Sequence, residues 1–435
     1  MPPGIGTPIR KNVMTQIPLS PDIIELDDQF MQDPHAVYAR LNEKGPLHQV
    51  RIPPGVPVCG GLTVWLVTGY DQVRAALADP RLSTDLRKTE ALFAQNQPDS
   101  TKRGGFSSTI ANHMLHNDPP DHTRLRKLVN KAFTSRAVER LVPQIERIAD
   151  ELLDSLSERE TVDLLDLYAF PLTFRVICAL IGVPEEDQEN FKEWSKQLIS
   201  GGSAEVAAAA SAIMHDYLTR LVASKRDAPG EDVLSALVQA RDADDRLAEN
   251  ELISMAFLLI IGAHETTANT VSNGLLHLMT NLSQWEALAR DRSLLAGAIE
   301  EFLRLESPLK HATFRCVTES LWIGDVELPA GDFVLISLAA ANRHSGHFPG
   351  DPQVLDIERQ TRGHVAFGHG IHYCLGAPLA RVEAHIAFSA LLNRYPGMRL
   401  AADPQDLRWR TSTLIRGLHE LPVRLVSAPQ GHVGS

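Results

Sequence analysis

The stretch FGHGIHYCLGAP, residues 367–378, sets one cysteine, Cys374, among three glycines and two histidines. That sulfur has three readings: half of a disulfide, a zinc ligand beside His369 and His372, or a thiolate held out for a larger partner. The other cysteines bear on the choice. Cys59, Cys178 and Cys316 lie far off, and no CxxC pair exists. Cys178, inside FRVICALIG, reads as a core residue. This spacing gives little support to a disulfide framework or a structural zinc site, although the two histidines keep zinc formally open. A cysteine protease has no paired Asn or Asp to complete it. A helix is expected over 378–392, directly after the turn. Its N-terminus and the nearby backbone N–H groups favour the thiolate form. Gly368, Gly370 and Gly376 leave room for a large flat ligand to approach the backbone.

The bulk properties describe an ordinary globular chain. Of 435 residues, 44% are hydrophobic and 22% charged, with mean hydropathy −0.11. A prior of about 150 residues per domain would give two or three domains, yet no linker composition separates them. The 42 basic and 54 acidic residues leave a formal charge of −12, which argues against general nucleic-acid binding. The first residues lack the apolar core of a signal peptide. The longest apolar run, 252–263, is shorter than the ~20 residues a membrane span needs. A cytoplasmic monomer, neither membrane-bound nor nucleic-acid-bound, is the expectation.

Helical periodicity predicts helices over 35–44, 71–78 (capped near Asp71), 138–156, 167–181, 186–198, 203–225, 232–241, 250–280 and 298–305. Strands are expected near 50–54 and 63–70, across much of 314–343, where IGD and PAGD mark turns, and in 407–425. Residues 90–117 are polar and Gly/Ser-rich, and read as a covering loop over a site. The class is mainly α with a smaller β portion.

Three further stretches carry chemistry. In LISMAFLLIIGAHETTANTVSNGLLHL, 252–278, the first half is apolar nearly all round and belongs in a core. Glu265, Thr266 and Thr267 interrupt it at the centre, and buried groups of that kind need partners. Thr266 can bond back to the carbonyl of Gly262 and bend the helix, opening a groove beside an acid and an alcohol. The plain alternative is a kinked core helix with Glu265 reaching a distant arginine. In AIEEFLRLESP, 298–308, Glu301 and Arg304 share a helix face and can form two parallel bonds; alone, such a pair is commonplace. In DPPDHTRLRKLVNKAFTSR, 118–136, His122 and Arg126 share a face. Five basic residues and no acid lie between Thr123 and Arg136. A solvated face explains this; so does an inner pair holding an anion, with outer cations facing an acidic partner.

Haem iron takes one strong axial ligand, and a thiolate is one of the known choices. Taken together and in this order, the four stretches resemble the cytochrome P-450 family over about 33–425. FGHGIHYCLG is similar to its haem-binding signature, which includes Phe367 and Gly368 and makes Cys374 the axial ligand to the iron of haem b. GAHETT resembles the oxygen-activating helix, with Glu265 and Thr266 on its proton-supplying acid–alcohol pair. Glu301, Arg304 and Arg359, the last in VLDIERQ, fall on the family's buried charge network. His122, Arg126, Arg315 and His372 fall on positions that hold haem propionates. The chain departs from similar enzymes at Ala263, where Gly is frequent, and at Leu355, where Phe is.

The resemblance implies a triangular prism of helices around a buried haem. One catalytic domain is expected over 21–427, with tails at 1–20 and 428–435. It also implies a monooxygenase that hydroxylates or epoxidises a hydrophobic small molecule, most similar to soluble actinomycete enzymes for macrolides and other polyketides. Dioxygen would be co-substrate. No nicotinamide or flavin fingerprint is present, so electrons would pass from NAD(P)H through a reductase and an acidic ferredoxin. Arg124, Lys127, Lys131 and Arg136 are the expected docking patch. Leu258, Leu259, Gly262, Ala263, Leu309, His311 and Leu414 are expected to line the substrate pocket, with Lys310 facing substrate or solvent. Steroids, terpenoids or xenobiotics are alternative substrates. A peroxide-driven peroxygenase and a haem gas sensor are the rival functions.

Overall fold

The computed structural model describes residues 23–54, 60–96, 111–200, 204–242 and 245–426. The expected tails 1–20 and 428–435, Cys59, and residues 97–110 of the covering loop lie outside them.

The helix Glu249–Thr280 runs through the middle of the molecule for 32 residues. It stays helical because nearly every side is apolar and can be buried: Leu252, Met255, Ala256, Phe257, Ile260 and Val271 are all essentially inaccessible. At its start Glu251 reaches back to the N–H of Ala248 at 2.8 Å, meeting one of the donors that a helix N-terminus leaves open. The helix is long and apolar enough to cross a membrane, but 67% of its most apolar window is buried inside the protein. The helix is continuous through Gly262 and Ala263.

Around it pack Ser135–Asp154, Phe170–Ile181, Ala204–Asp227, Leu295–Leu305 and Ala377–Arg394. One main core joins them, from Met114 to Leu425 in sequence. Gly274 is what lets the helices close on each other. A Cβ there would lie 2.8 Å from the rings of both Phe302 and Phe388.

The β portion is smaller. Six strands form one mixed sheet in the order Ile24–Glu25, Leu47–Arg51, Thr63–Val67, Phe333–Ile336, Arg315–Val317, Leu82–Ser83. Phe333–Ile336 is its hinge in sequence. It runs parallel to Thr63–Val67, pairing Leu335 with Leu66, and antiparallel to Arg315–Val317. All four of its residues are buried, as a strand covered on both faces requires.

Most expected helices lie within a few residues of their predicted ends; several differences have local causes. Tyr70 does not close a strand: it opens the helix Tyr70–Ala78, whose N-cap is Gly69 and not Asp71. The Tyr70 hydroxyl then donates to the carbonyl of Gly363 at 2.8 Å. The covering stretch begins later than expected, because Leu86–Asn96 is helical. Residues 338–342, LAAAN, read as strand but form a short helix capped by Ser337. Of the last expected strands only Pro422–Arg424 is a strand proper.

Candidate active site

The cysteine turn is built by its glycines. Gly368 and Gly370 have φ of +75° and +76°, a region that only glycine enters freely. Gly370 serves packing: a Cβ there would sit 2.9 Å from the carbonyl of Leu77. Clearance belongs to Gly368 instead, where a Cβ would have only one neighbour within 4 Å, at 3.9 Å. Cys374 donates its N–H to the carbonyl of Phe367 at 2.9 Å, which closes the turn and leaves the residue exposed. Ala377–Arg394 begins three residues later, with Pro378 in its first turn, where a missing N–H does no harm.

Two influences act on the sulfur. Burial of its surroundings pushes the Cys374 thiol up, while the N–H groups of Gly376 and Ala377 and the cations of Arg126 and Arg381 pull it down. The N–H groups at the helix N-terminus act toward the thiolate, as expected, but burial is the larger influence and leaves the thiol raised. A positive metal on the sulfur would complete what those donors begin.

Four basic side chains from three parts of the chain meet near this turn. His122 and Arg126 come from the helix Asp121–Ala132, Arg315 from the sheet and His372 from the turn itself. The His122 and His372 rings are 4.5 Å apart. Arg315, His122 and Arg126 all act on His372, which burial and these neighbours hold down to about 3. Burial brings Arg315 down to about 10. Neither ring nitrogen of His122, nor Nε of Arg315, has a hydrogen-bond partner among the described residues, though all are buried. The acid beside them, Asp118, is already bound to Ser83 and to Lys88 at 2.9 Å. Unmet buried nitrogens beside the guanidinium groups of Arg126 and Arg315 fit an anionic partner. The propionates of a haem would meet that need, and Cys374 would supply a thiolate to its iron.

On the central helix, Leu258, Gly262 and Thr266 are four residues apart and form its accessible stripe. Gly262 is exposed, Leu258, Ala263 and Thr266 are half-buried, and Leu259 is buried. A Cβ on Gly262 would meet nothing within 4 Å. Thr266 Oγ1 donates to the carbonyl of Gly262 at 2.7 Å, and Thr267 Oγ1 to that of Ala263 at 2.9 Å. Glu265 is buried and forms an ion pair with Arg410. That is the distant arginine of the plain alternative. Its neighbour Thr266 nonetheless opens to free space. Leu309 is half-buried and Leu414 exposed, brought together by the bridge from Leu309 to Ile415.

His311 is a correction. It does not line a cavity: it is wholly buried, with Tyr38 Oη at 2.8 Å on Nε2 and the Thr413 carbonyl at 2.6 Å on Nδ1. Lys310 faces neither substrate nor solvent. It is wholly buried, with the Met31 sulfur 3.4 Å away as its acceptor, and burial brings it down to about 7. Arg124 is not a free docking cation either, since it pairs with Asp245 and Glu251. Leu355 is packed in the main core.

Glu301, Arg304 and Arg359 do come together. Arg304 meets both oxygens of Glu301, at 2.6 and 2.8 Å, and Arg359 adds a bond at 3.2 Å. Backbone carbonyls of Asn342 and Pro352 take the rest of Arg304. Sequence reasoning missed a second buried cluster: Glu306 is held by His35, His277, Arg343 and Arg416 at 2.8–3.2 Å. Its members span nearly 400 residues of chain, so no spacing announces it.

The cytochrome P450 family model matches residues 190–405. The chain is 50% identical over 404 residues to cytochrome P450 107B1 of Saccharopolyspora erythraea, covering 93% of this chain and 98% of that one. It is 44% identical to the cytochrome P450 monooxygenase PikC of Streptomyces venezuelae, covering 93% and 94%. Among solved structures, the tirandamycin C-bound P450 monooxygenase TamI superposes with a TM-score of 0.86 at 69% identity, covering 93% of this chain and 100% of that one. With a turn that presents one cysteine, a group of buried bases beside it and a Thr-bearing open helix face, the chain belongs to the cytochrome P450 family and is a haem-dependent monooxygenase.

Proposed function

We propose that the chain hydroxylates or epoxidises a hydrophobic polyketide-type secondary metabolite, taking electrons from a ferredoxin, as one cytoplasmic catalytic unit over 21–427. The observation that carries the substrate class is the 69% identity to a chain that holds tirandamycin C. The open stripe of Leu258, Gly262 and Ala263, with Leu309 and Leu414, offers the apolar lining such a molecule needs.

In this reading His122, Arg126, Arg315 and His372 bind the two propionates of haem b, and Cys374 ligates its iron. When bound, haem supplies the dioxygen chemistry, consuming two electrons and two protons to put one oxygen atom into the substrate and release the other as water. Thr266 holds a hydroxyl at the open face, and its bond to Gly262 fixes the rotamer so that its lone pairs face the cavity. Glu265, one residue away, passes protons toward that hydroxyl when it exchanges Arg410 for a water. Glu301, Arg304 and Arg359 lock the segments that carry the cysteine turn and do no chemistry. In this reading the basic run of Lys127, Lys131 and Arg136 faces the ferredoxin through its charge; charge reversal at Lys131 and Arg136 should raise the ferredoxin concentration needed for half-maximal turnover.

Titration of the haem-loaded protein with tirandamycin C tests the reading. A low- to high-spin shift, and oxygenated product with ferredoxin, reductase and NAD(P)H, is the expected result. A shift given only by steroids or terpenoids would move the substrate class to the alternative. Faster turnover with hydrogen peroxide alone would favour a peroxygenase, against the presence of Glu265 and Thr266.

A further inference from the structure

The helix Leu295–Leu305 carries two adjacent acids, Glu300 and Glu301. One residue turns a helix by about 100°, and the two side chains go separate ways. Glu301 is sealed against Arg304 and Arg359. Glu300 meets residues from both sides of the cysteine turn, His364 before Cys374 and Arg381 after it. Arg381 donates from Nε to Glu300 Oε1 at 2.5 Å and from Nη2 to Oε2 at 3.0 Å. His364 Nε2 lies 2.8 Å from Oε2. The N–H of Ala366 donates to His364 Nδ1 at 3.3 Å, so Nε2 carries the proton and donates to the carboxylate.

Burial acts to raise the Glu300 carboxyl, but His364 and Arg381 together outweigh it and hold it down to about 2. Glu300 is therefore a full negative charge at working pH. Its two-pronged bond fixes the plane of the Arg381 guanidinium, which lies 4.5 Å from the centre of the Phe367 ring, within reach of a cation–π attraction. Phe367 is the residue whose carbonyl takes the Cys374 N–H. The cation is thus held against the closed turn that presents the sulfur. Arg126 and Arg381 are the cations that act on Cys374, and they differ in what answers their charge. In the function proposed above a haem propionate answers Arg126. The protein itself answers Arg381, through Glu300. Charges and hydrogen bonds just outside a metal's ligands tune the metal. A cation beside the ligating sulfur favours one more electron on the iron, and an anion there opposes it.

We propose that Arg381 and Glu300, held by the stack on Phe367 and by His364, set the reduction potential of the haem iron. Arg381 raises the potential by its charge beside the cysteine turn. Glu300 fixes the place of that charge and offsets part of it. His364 holds Glu300 in turn. All three are positioning residues: none touches substrate and none gives up a proton. The step they act on moves one electron from reduced ferredoxin to iron(III), leaving oxidised ferredoxin and iron(II), and no bond is made or broken. The inference rests on Cys374 ligating the iron.

Spectroelectrochemical titration of the substrate-free, haem-loaded protein tests this. Glu300→Gln leaves Arg381 without its counter-charge, and should shift the equilibrium for iron reduction toward iron(II) by about threefold, or about 28 mV at 59 mV per tenfold. Arg381→Gln leaves Glu300 alone and should shift it about threefold the other way. The double variant, Glu300→Gln with Arg381→Gln, should return to the wild-type value. Opposite shifts that cancel are the mark of charge, whereas loosening the turn would move both single variants one way and the double variant further. Shifts of one sign, or no shift, overturn the proposal. Should Arg381→Gln not take up haem, Arg381→Lys, which keeps the charge and loses the fork, replaces it. A wild-type potential there, with a raised one in Glu300→Gln, supports the proposal, and any other pair of values overturns it. The reduced CO complex is recorded for every protein. If the far-red-shifted Soret band is missing from wild type, the reading of Cys374 as ligand fails and takes this inference with it. If the band is present and the potentials do not move as stated, the inference fails alone.

Discussion

Two buried acids, each paired with an arginine, sit in opposite circumstances. Glu301 is wholly inaccessible and sealed: both oxygens meet Arg304, Arg359 adds a third bond, and backbone carbonyls take the remaining donors. Glu265 has Arg410 on one side, while Thr266 beside it is half-open and Asn269 one turn on has an amide with no partner among the described residues. The contrast separates two uses of buried charge. A network complete within the protein repays its desolvation and holds the fold. A network left incomplete is arranged for something the chain does not itself supply. The basic group around His122 and Arg315 belongs with Glu265, since both His122 ring nitrogens and Arg315 Nε are also unmet among the described residues.

Breaking the sealed network should have the largest effect. Glu301→Gln leaves two buried guanidinium groups uncompensated and should cost about 3–5 kcal/mol, a large part of the total stability of a protein. Little soluble, haem-containing protein should be recovered; a normal yield with an unchanged melting temperature would show that the network does not hold the fold. Cys374→Ser should do the reverse. The residue is exposed at a turn closed by backbone bonds, so folding should survive while the far-red-shifted Soret band of the reduced CO complex disappears. Persistence of that band would defeat Cys374 as the ligand.

Thr266→Ala probes the open side. Only the bond to Gly262 is lost, so stability should change by less than about 1 kcal/mol, while reductant is diverted severalfold toward peroxide. Unchanged coupling would mean that the substrate supplies the hydroxyl itself.

The smallest effect tests an exception to the comparison. Lys310 lies in a well-paired region, yet its acceptor is a thioether, and burial lowers it to about 7. The unfolded lysine keeps its proton to about pH 10.4. Between those values the unfolded state binds more protons, so stability must rise with pH. Lys310→Met should therefore melt higher than wild type at pH 7, and its advantage should shrink toward pH 10. A constant difference across that range would show that Lys310 is charged in the fold.

What could be read before folding was what lies close in sequence. Glu301 and Arg304 are three residues apart, Thr266 and Gly262 four, and His122 and Arg126 four, so helix geometry alone brings each pair within reach. The cysteine turn was legible for the same reason, since its hydrogen bonds join residues only a few apart. His311 and Lys310 misled because they sit next to Leu309, which does face open space. A local polar residue looks available until a distant one, here Tyr38 or Met31, covers it. Arg124 misled likewise: Asp245 and Glu251 are more than 120 residues away.

The sequence by itself determined the mainly helical class, the turn that presents a single cysteine, the adjacent acid and alcohol on the central helix and the Glu–x–x–Arg lock. Each depends on residue types at fixed short spacing, and helix and turn geometry translate such spacing directly into distance. Only the tertiary structure decided that Glu265 answers to Arg410, that Glu306 gathers four bases, that His311 is sealed and that Asn269 is left unmet. Those outcomes turn on which remote side chain arrives within about 3 Å of a buried polar atom, and chain separation carries no information about that.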